Sequence, residues 1–210
     1  MKSVQSYSIS RDKFLSQDQA KKLLKTCQEL SDLDLLKGRA TWVTRSMLVH
    51  LAFSSGLRVS EIAALKIEDL HFNGKENYLI VRHGKRGKKR EVYFDTELSK
   101  HLKKYIEIKK KSWKESIEPD APLFSGRGGK HFTTTSLEIS FKKTIERAKL
   151  PLHYSIHAAR HTYATILLAK TNNLRFVQKQ LGHASLNMTA LYADVLPELN
   201  QNLANSILDL

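Results

Sequence analysis

Residues 73–94 read NGKENYLIVRHGKRGKKREVYF, and this stretch decides the fold class. Asn73-Gly74 is a strong hairpin-turn pair, because both residue types tolerate the positive φ that a two-residue turn requires. After it, Tyr78, Ile80 and Arg82 alternate with Leu79, Val81 and His83, the period of a strand with one buried face. Val92 to Phe94 follows a polar connection that holds Gly84 and Gly87 together with Lys85, Arg86, Lys88, Lys89 and Arg90. The stretch predicts a small antiparallel sheet of two or three strands, with five positive charges at the tip of its second hairpin.

On either side of this stretch the period is helical. Ser16 followed three residues later by Gln19 forms a capping-box pattern with Leu15 just outside it. Ala20, Leu23, Leu24, Cys27 and Leu30 then fall on one helical face. Residues 41–55 predict a second helix that ends at Gly56, which suits the left-handed position after a helix. Ser60 is expected to cap a short third helix through Ile62, Ala63 and Leu65. Further helices are predicted over about 96–111, 136–149, 157–170 and 174–181, with Gly182 as the last stop and one more helix after Pro197. A loop with Pro119, Pro122, Gly126, Gly128 and Gly129 separates the first two of these. No repeat or long biased linker divides the chain, so the expected fold is α+β: one mainly α-helical domain with a small antiparallel β-sheet.

Composition narrows the function. The chain has 210 residues, of which 41% are hydrophobic, and they recur along its whole length, which excludes disorder. No run approaches the roughly 18 consecutive apolar residues of a membrane span. Cys27 is the single cysteine, which excludes a disulfide scaffold and fits a reducing compartment. Residues 1–11 lack the apolar core of a signal peptide, so a cytoplasmic, nucleoid-associated protein is expected. Lys and Arg number 35 against 21 Asp and Glu, a formal net charge of +14. The pI near 9.8 favours a polyanion, either nucleic acid or an anionic membrane surface. No basic amphipathic helix of the membrane type appears, which leaves nucleic acid.

The chemistry-bearing residues form an ordered set. His157, Arg160 and His161 lie at i, i+3 and i+4 of one predicted helix. A zinc-protease reading of the two histidines fails because Ala158 stands where that motif needs a glutamate. Arg58 follows the Gly56-Leu57 helix stop and Lys85 sits in the basic hairpin. His183 follows Leu181-Gly182, and Tyr192 comes nine residues later. Singly, each has an ordinary structural explanation, such as an ion pair of Arg58 with Glu61 or a half-buried tyrosine.

Taken together, Gly56-Leu57-Arg58-Val59-Ser60-Glu61, Gly84-Lys85, His157-x-x-Arg160-His161, Leu181-Gly182-His183 and Tyr192 resemble the tyrosine recombinase (phage integrase) family from about Phe14 to Val195. The resemblance implies a DNA strand transferase that needs no cofactor or metal ion. Tyr192 would be the nucleophile that forms a 3′-phosphotyrosyl link. Arg58 and Arg160 would clamp the non-bridging phosphate oxygens, and His183 would donate to the same phosphate. His157 would act as or orient the general base, and Lys85 would protonate the leaving oxygen. Glu61 is expected to hold an arginine in place, and His161 to be structural. Arginine's planar fork suits phosphate and stays charged, so such a set can replace metal ions in stabilising the transition state.

Phosphate contacts to double-stranded DNA are expected from Arg86, Lys88, Lys89, Arg90, Arg127, Lys130, Lys142 and Lys143, and also from Lys109 to Lys111. The expected organisation is an N-terminal extension over 1–14, a catalytic domain over 15–195 and a C-terminal helix over 196–210. That helix could be exchanged between protomers of a tetramer on DNA. The family's usual DNA-clamping domain is not expected in these residues, because the first catalytic-domain helix is read from Ser16. Two alternatives stay open: a non-catalytic DNA-binding regulator of the same fold, and a type IB topoisomerase-like strand relaxer.

Overall fold

A computed structural model describes residues 10–74, 76–82, 89–126 and 129–193. Helix α1 (Gln17–Leu36) begins at the expected capping box: the Ser16 hydroxyl accepts from the Gln19 amide at 3.2 Å, and the Gln19 side chain accepts from the Ser16 amide at 2.9 Å. Leu15 is buried, and its amide donates to Thr162 Oγ1 at 2.9 Å, tying the start of the fold to a helix 147 residues away.

Helix α2 (Thr41–Ser55) is the central element. Met47, Leu48, Val49, Leu51 and Ala52 are all buried, so it is apolar around its circumference rather than along one stripe. It packs against α1 and against α4 (Thr96–Lys111), α5 (Thr134–Arg147) and α6 (Ile156–Thr171). The chain leaves α2 through Gly56, at φ +60°, where an added Cβ would lie 2.3 Å from the Tyr163 ring. Both the backbone conformation and the close approach require glycine there. Helix α3 (Val59–Ala63) follows at once, and here the expectation is corrected: the cap position is Arg58, not Ser60. Ser60 is exposed within the helix, and the Glu61 carboxylate reaches back to the Arg58 amide at 2.8 Å.

The sheet has three antiparallel strands in the order β1 (Leu70–Asn73), β2 (Glu76–Val81) and β3 (Arg90–Tyr93). Its register pairs Leu70 with Leu79 and Leu79 with Val92. Leu70, Leu79, Val81 and Val92 form the buried face, as the alternation predicts. Helix α7 (Leu174–Leu181) packs against β3, and α8 (Asn187–Ala190) packs against α7. The anticipated fold class, mainly helical with a small antiparallel sheet, is the one observed. No described helix is long and apolar enough to cross a membrane. The helix expected after Pro197 lies outside the described residues.

One lysine assignment changes. Lys109 is fully buried, with its ammonium 2.6 Å from both Glu115 and Ser125 Oγ, so it is an internal ion pair and no phosphate contact. Lys111 is exposed but pairs with Glu107 one turn back.

A cavity of about 280 Å³ between α1, α2 and α4 holds His50 and His101, whose Nδ1 atoms are 2.9 Å apart. At that distance one ring donates and the other accepts, so the two cannot both be protonated at Nδ1. Burial lowers the pKa of each, and the His50 ring and Lys104 add to the effect on His101, which falls to about 4. The unfolded chain therefore binds more protons between about pH 6.5 and 4, and stability falls as pH drops through that window. Urea unfolding at pH 7 and pH 5 checks this. His101→Asn should lose about 1–2 kcal/mol less than the parent between the two.

Candidate active site

The site is assembled by the ends of helices. Arg160, in the second turn of α6, is 6% exposed. Its guanidinium donates to the Gly56 carbonyl at 2.5 Å and to the Leu181 carbonyl at 2.8 Å. These oxygens terminate α2 and α7, the negative ends of two helix dipoles. Two residues after Gly56 comes Arg58, and two after Leu181 comes His183. One buried cation thus delivers two further site residues from opposite ends of the sequence. Burial, and next the neighbouring Arg58, lower the Arg160 pKa to about 10, which leaves it cationic at any physiological pH.

Arg58 is held by Glu61. The carboxylate accepts from the Arg58 guanidinium at 2.9 Å as well as from its amide. Glu61 is 6% exposed and also accepts both arms of the Arg90 fork, at 2.8 and 2.9 Å. Burial alone would raise this carboxyl. The Arg90 hydrogen bonds and charge, with the Arg58 amide and charge, outweigh burial and hold it below the ordinary carboxylate range. Arg90 further donates through Nε to the Gln180 carbonyl at 3.1 Å. At Gly182, with φ +65°, an added Cβ would come within 2.8–2.9 Å of that guanidinium, so glycine is required where the chain turns toward His183.

Tyr192 is 2% exposed and packs with Ala164, Leu168, Val177 and Leu181 in the hydrophobic cluster between α6 and α7. Its ring lies parallel to His183, with centroids 6.2 Å apart. Its hydroxyl is 2.9 Å from Nδ1 of His161. His183 Nδ1 lies 3.0 Å from the hydroxyl of Thr189, which is fully buried. Donation by Thr189 would leave the His183 proton on Nε2. Burial, then Arg160, Arg58 and Arg90, push His183 down to about 3. Burial, then Arg160, His157 and Lys13, push His161 down to about 4. Both imidazoles are neutral at pH 7.

Arg58, His157, Arg160, His183 and Tyr192 all line one cleft of about 480 Å³, so five of the six residues singled out for catalysis come together. His157 stands exposed at its mouth, in the first turn of α6. Lys85, Arg86, Lys88 and Arg127 lie outside the described residues. Lys89 and Lys130 are exposed, Lys143 is exposed and pairs with Glu146, and Lys142 donates to the Leu152 carbonyl.

Arg90 departs from the expectation, and His161 and Thr189 make contacts that the sequence reading did not contain. Arg90 is not at a hairpin tip in solvent. It lies in β3 facing Glu61, on the same side of the strand as buried Val92, a placement the two-residue alternation already contained. His161 lines the cleft with His157, one turn away on the same helix face, and contacts the Tyr192 hydroxyl. Thr189 carries no periodic signal in the sequence. Its contact with His183 exists only because α8 folds back beside α7. Removing Arg90 should take two charge-assisted hydrogen bonds from a buried carboxylate that then keeps only those from Arg58 among the described contacts. Arg90→Gln is expected to lower the unfolding free energy by about 2–3 kcal/mol. A cycle with Glu61→Gln, followed by urea unfolding, should give a double variant that loses clearly less than the sum of the two singles.

The chain is similar to known proteins in both sequence and fold. Residues 13–198 match the model of the phage integrase family. The chain is 33% identical over 159 residues to the tyrosine recombinase XerC of Lactobacillus leichmannii, which covers 75% of this chain and 52% of that protein. It is 30% identical over 186 residues to the tyrosine recombinase XerA of Pyrococcus horikoshii, covering 89% of this chain and 58% of that one. The chain therefore spans about half the length of the curated relatives it matches. Its fold is similar to the crystal structure of the XerH site-specific recombinase bound to palindromic difH substrate in a post-cleavage complex. The TM-score is 0.74 at 24% identity, covering 94% of this chain and 53% of that one. On the family match and these identities, the chain belongs to the phage integrase family, the family of the tyrosine recombinases.

Proposed function

We propose that this chain cleaves and rejoins DNA strands in site-specific recombination, through a covalent bond between Tyr192 and a DNA 3′-phosphate. One observation carries the reading: the Tyr192 hydroxyl, two guanidiniums and a neutral imidazole line the same cleft. Arg58 and Arg160 match the non-bridging oxygens of a phosphodiester, where negative charge gathers in the transition state. Their positions are already determined by Glu61 and by two helix ends, so little reorganisation is needed when the phosphate arrives. His183, with its proton on Nε2, would add a third donor to the same phosphate. Tyr192 Oη attacks phosphorus, and the bond to O5′ breaks. Lys85 supplies the proton to that oxygen, and His157 at the mouth acts as or orients the base. A 5′-hydroxyl from a second strand reverses the step on a new partner. The phosphotyrosyl bond conserves the energy of the diester, so no nucleotide is consumed.

Duplex DNA is the partner on this reading, gripped by Lys89, Lys130 and the basic connection over 83–88 and acted on within a nucleoid-bearing cytoplasm. A tetramer on DNA, linked through the segment 196–210, is the assembly proposed for strand exchange. The decisive experiment incubates the protein with nicked suicide duplexes taken from its native flanking DNA. Wild type should form an adduct that survives denaturation, and Tyr192→Phe should form none. Arg160→Ala should slow attachment about 10²–10³-fold. An adduct formed by Tyr192→Phe overturns the assignment of the nucleophile. Tight DNA binding by wild type without attachment favours a regulator, and relaxation of plasmids lacking any target site favours a topoisomerase.

A further inference from the structure

We propose that His161, through Nδ1, holds the Tyr192 hydroxyl in the cleft and takes its proton as Oη attacks phosphorus. This rests on the strand-transfer reading above and deepens it: that reading assigns His161 no part, whereas here His161 is the base and His157, one turn back on α6, orients it. His161 lies within hydrogen-bond reach of the attacking atom, at 2.9 Å from Oη, and its ring meets the tyrosine ring at a centroid distance of 5.8 Å. Geometry comes first in identifying a base, and this contact is already made before substrate binds. The position is rigid at both partners. His161 sits in the second turn of α6 beside buried Arg160 and Thr162, and its carbonyl accepts from Thr165 at 3.0 Å. Tyr192 is fixed by its burial against α6 and α7.

Protonation also suits the role. His161 faces Arg160 and His157 on its own helix and Lys13 from the N-terminal turn, and it lies close enough to His183 for the two to influence each other. With burial, these keep it neutral and able to accept. A phosphodiester seated on Arg58 and Arg160 brings one negative charge into that field and draws the imidazole back toward its ordinary affinity, so the base strengthens when substrate is present. In the step, the Oη–P bond forms, the P–O5′ bond breaks, the Oη proton moves to Nδ1, and the leaving oxygen takes a proton from Lys85. On rejoining, the imidazolium returns its proton to Oη.

Two measurements test this. In the first, intact protein is mixed with a pool of random-sequence duplexes carrying 5′-bridging phosphorothiolates. The thiolate leaves without a proton, so the rate of adduct formation reports the nucleophile rather than Lys85. His161→Ala and His161→Asn should each slow attachment about 100-fold at pH 7, and the deficit should shrink toward pH 9.5 as Tyr192 ionises unaided. Adduct rates within threefold of wild type, with an unchanged pH profile, would falsify the assignment. So would a pH profile abolished in His157→Ala but kept in His161→Ala. In the second, histidine 15N shifts are followed against pH in DNA-free wild type and Tyr192→Phe. The His161 Nδ1 signal and its titration midpoint should move on loss of the hydroxyl, and identical curves overturn the proposal even if the His161 variants fold poorly. Absence of any wild-type adduct, with the NMR contact present, sinks the strand-transfer reading and the proton-acceptor role with it.

Discussion

The site depends on one buried cation gripping two helix ends. Arg160 donates to the last carbonyls of α2 and α7, and both helices stop there at a glycine in the left-handed conformation. Carbonyls at a helix C-terminus have no partner within the helix and carry its negative pole. A guanidinium is the side chain that can satisfy two of them while keeping further N–H groups for a ligand. The consequence is geometric. Segments 58–61 and 182–183 are both held against α6 by the same residue that contributes a charge of its own to the cleft.

A second charged unit locks the first in place. Glu61 is buried between Arg58 and Arg90 and caps α3 through the Arg58 amide. Arg90 in turn reaches the Gln180 carbonyl, so the strand β3, the helix α3 and the end of α7 share one carboxylate. Three guanidiniums against that single carboxylate leave the cleft positive. Burial first, and then this excess, keep His161 and His183 neutral, and on the proposed reading the same excess receives a phosphate.

Local signals were legible where the physics is local. Residues 41–55, 96–111 and 174–181 are read as helices from their apolar spacing and end residues, and the structure has them at those bounds. The Ser16–Gln19 box and a hairpin after β1 follow from hydrogen bonds and backbone preferences only a few residues wide, although Asn73 is the last residue of β1, paired with Glu76, and of the Asn73-Gly74 pair Gly74 alone has positive φ. The reading failed where a partner far along the chain decides. Ser60 has the chemistry of a cap, but the Glu61 side chain already satisfies the Arg58 amide. Lys109 reads as a surface cation in a basic run, yet Glu115 and Ser125 surround it in the core. Arg90 looks like one more loop charge until Glu61, 29 residues earlier, is brought beside it.

By itself the sequence determined the helices, the sheet, the residue types able to handle a phosphate and the net charge of +14 that draws a polyanion. Each of these is a property of composition or of near neighbours along the chain. Tertiary structure alone decided which charges face the cleft and which are neutralised inside the protein. It also decided that the Tyr192 hydroxyl meets His161, 31 residues away, rather than solvent. Such choices turn on burial and on distances of about 3 Å between residues remote in sequence, and only the packed chain sets those distances.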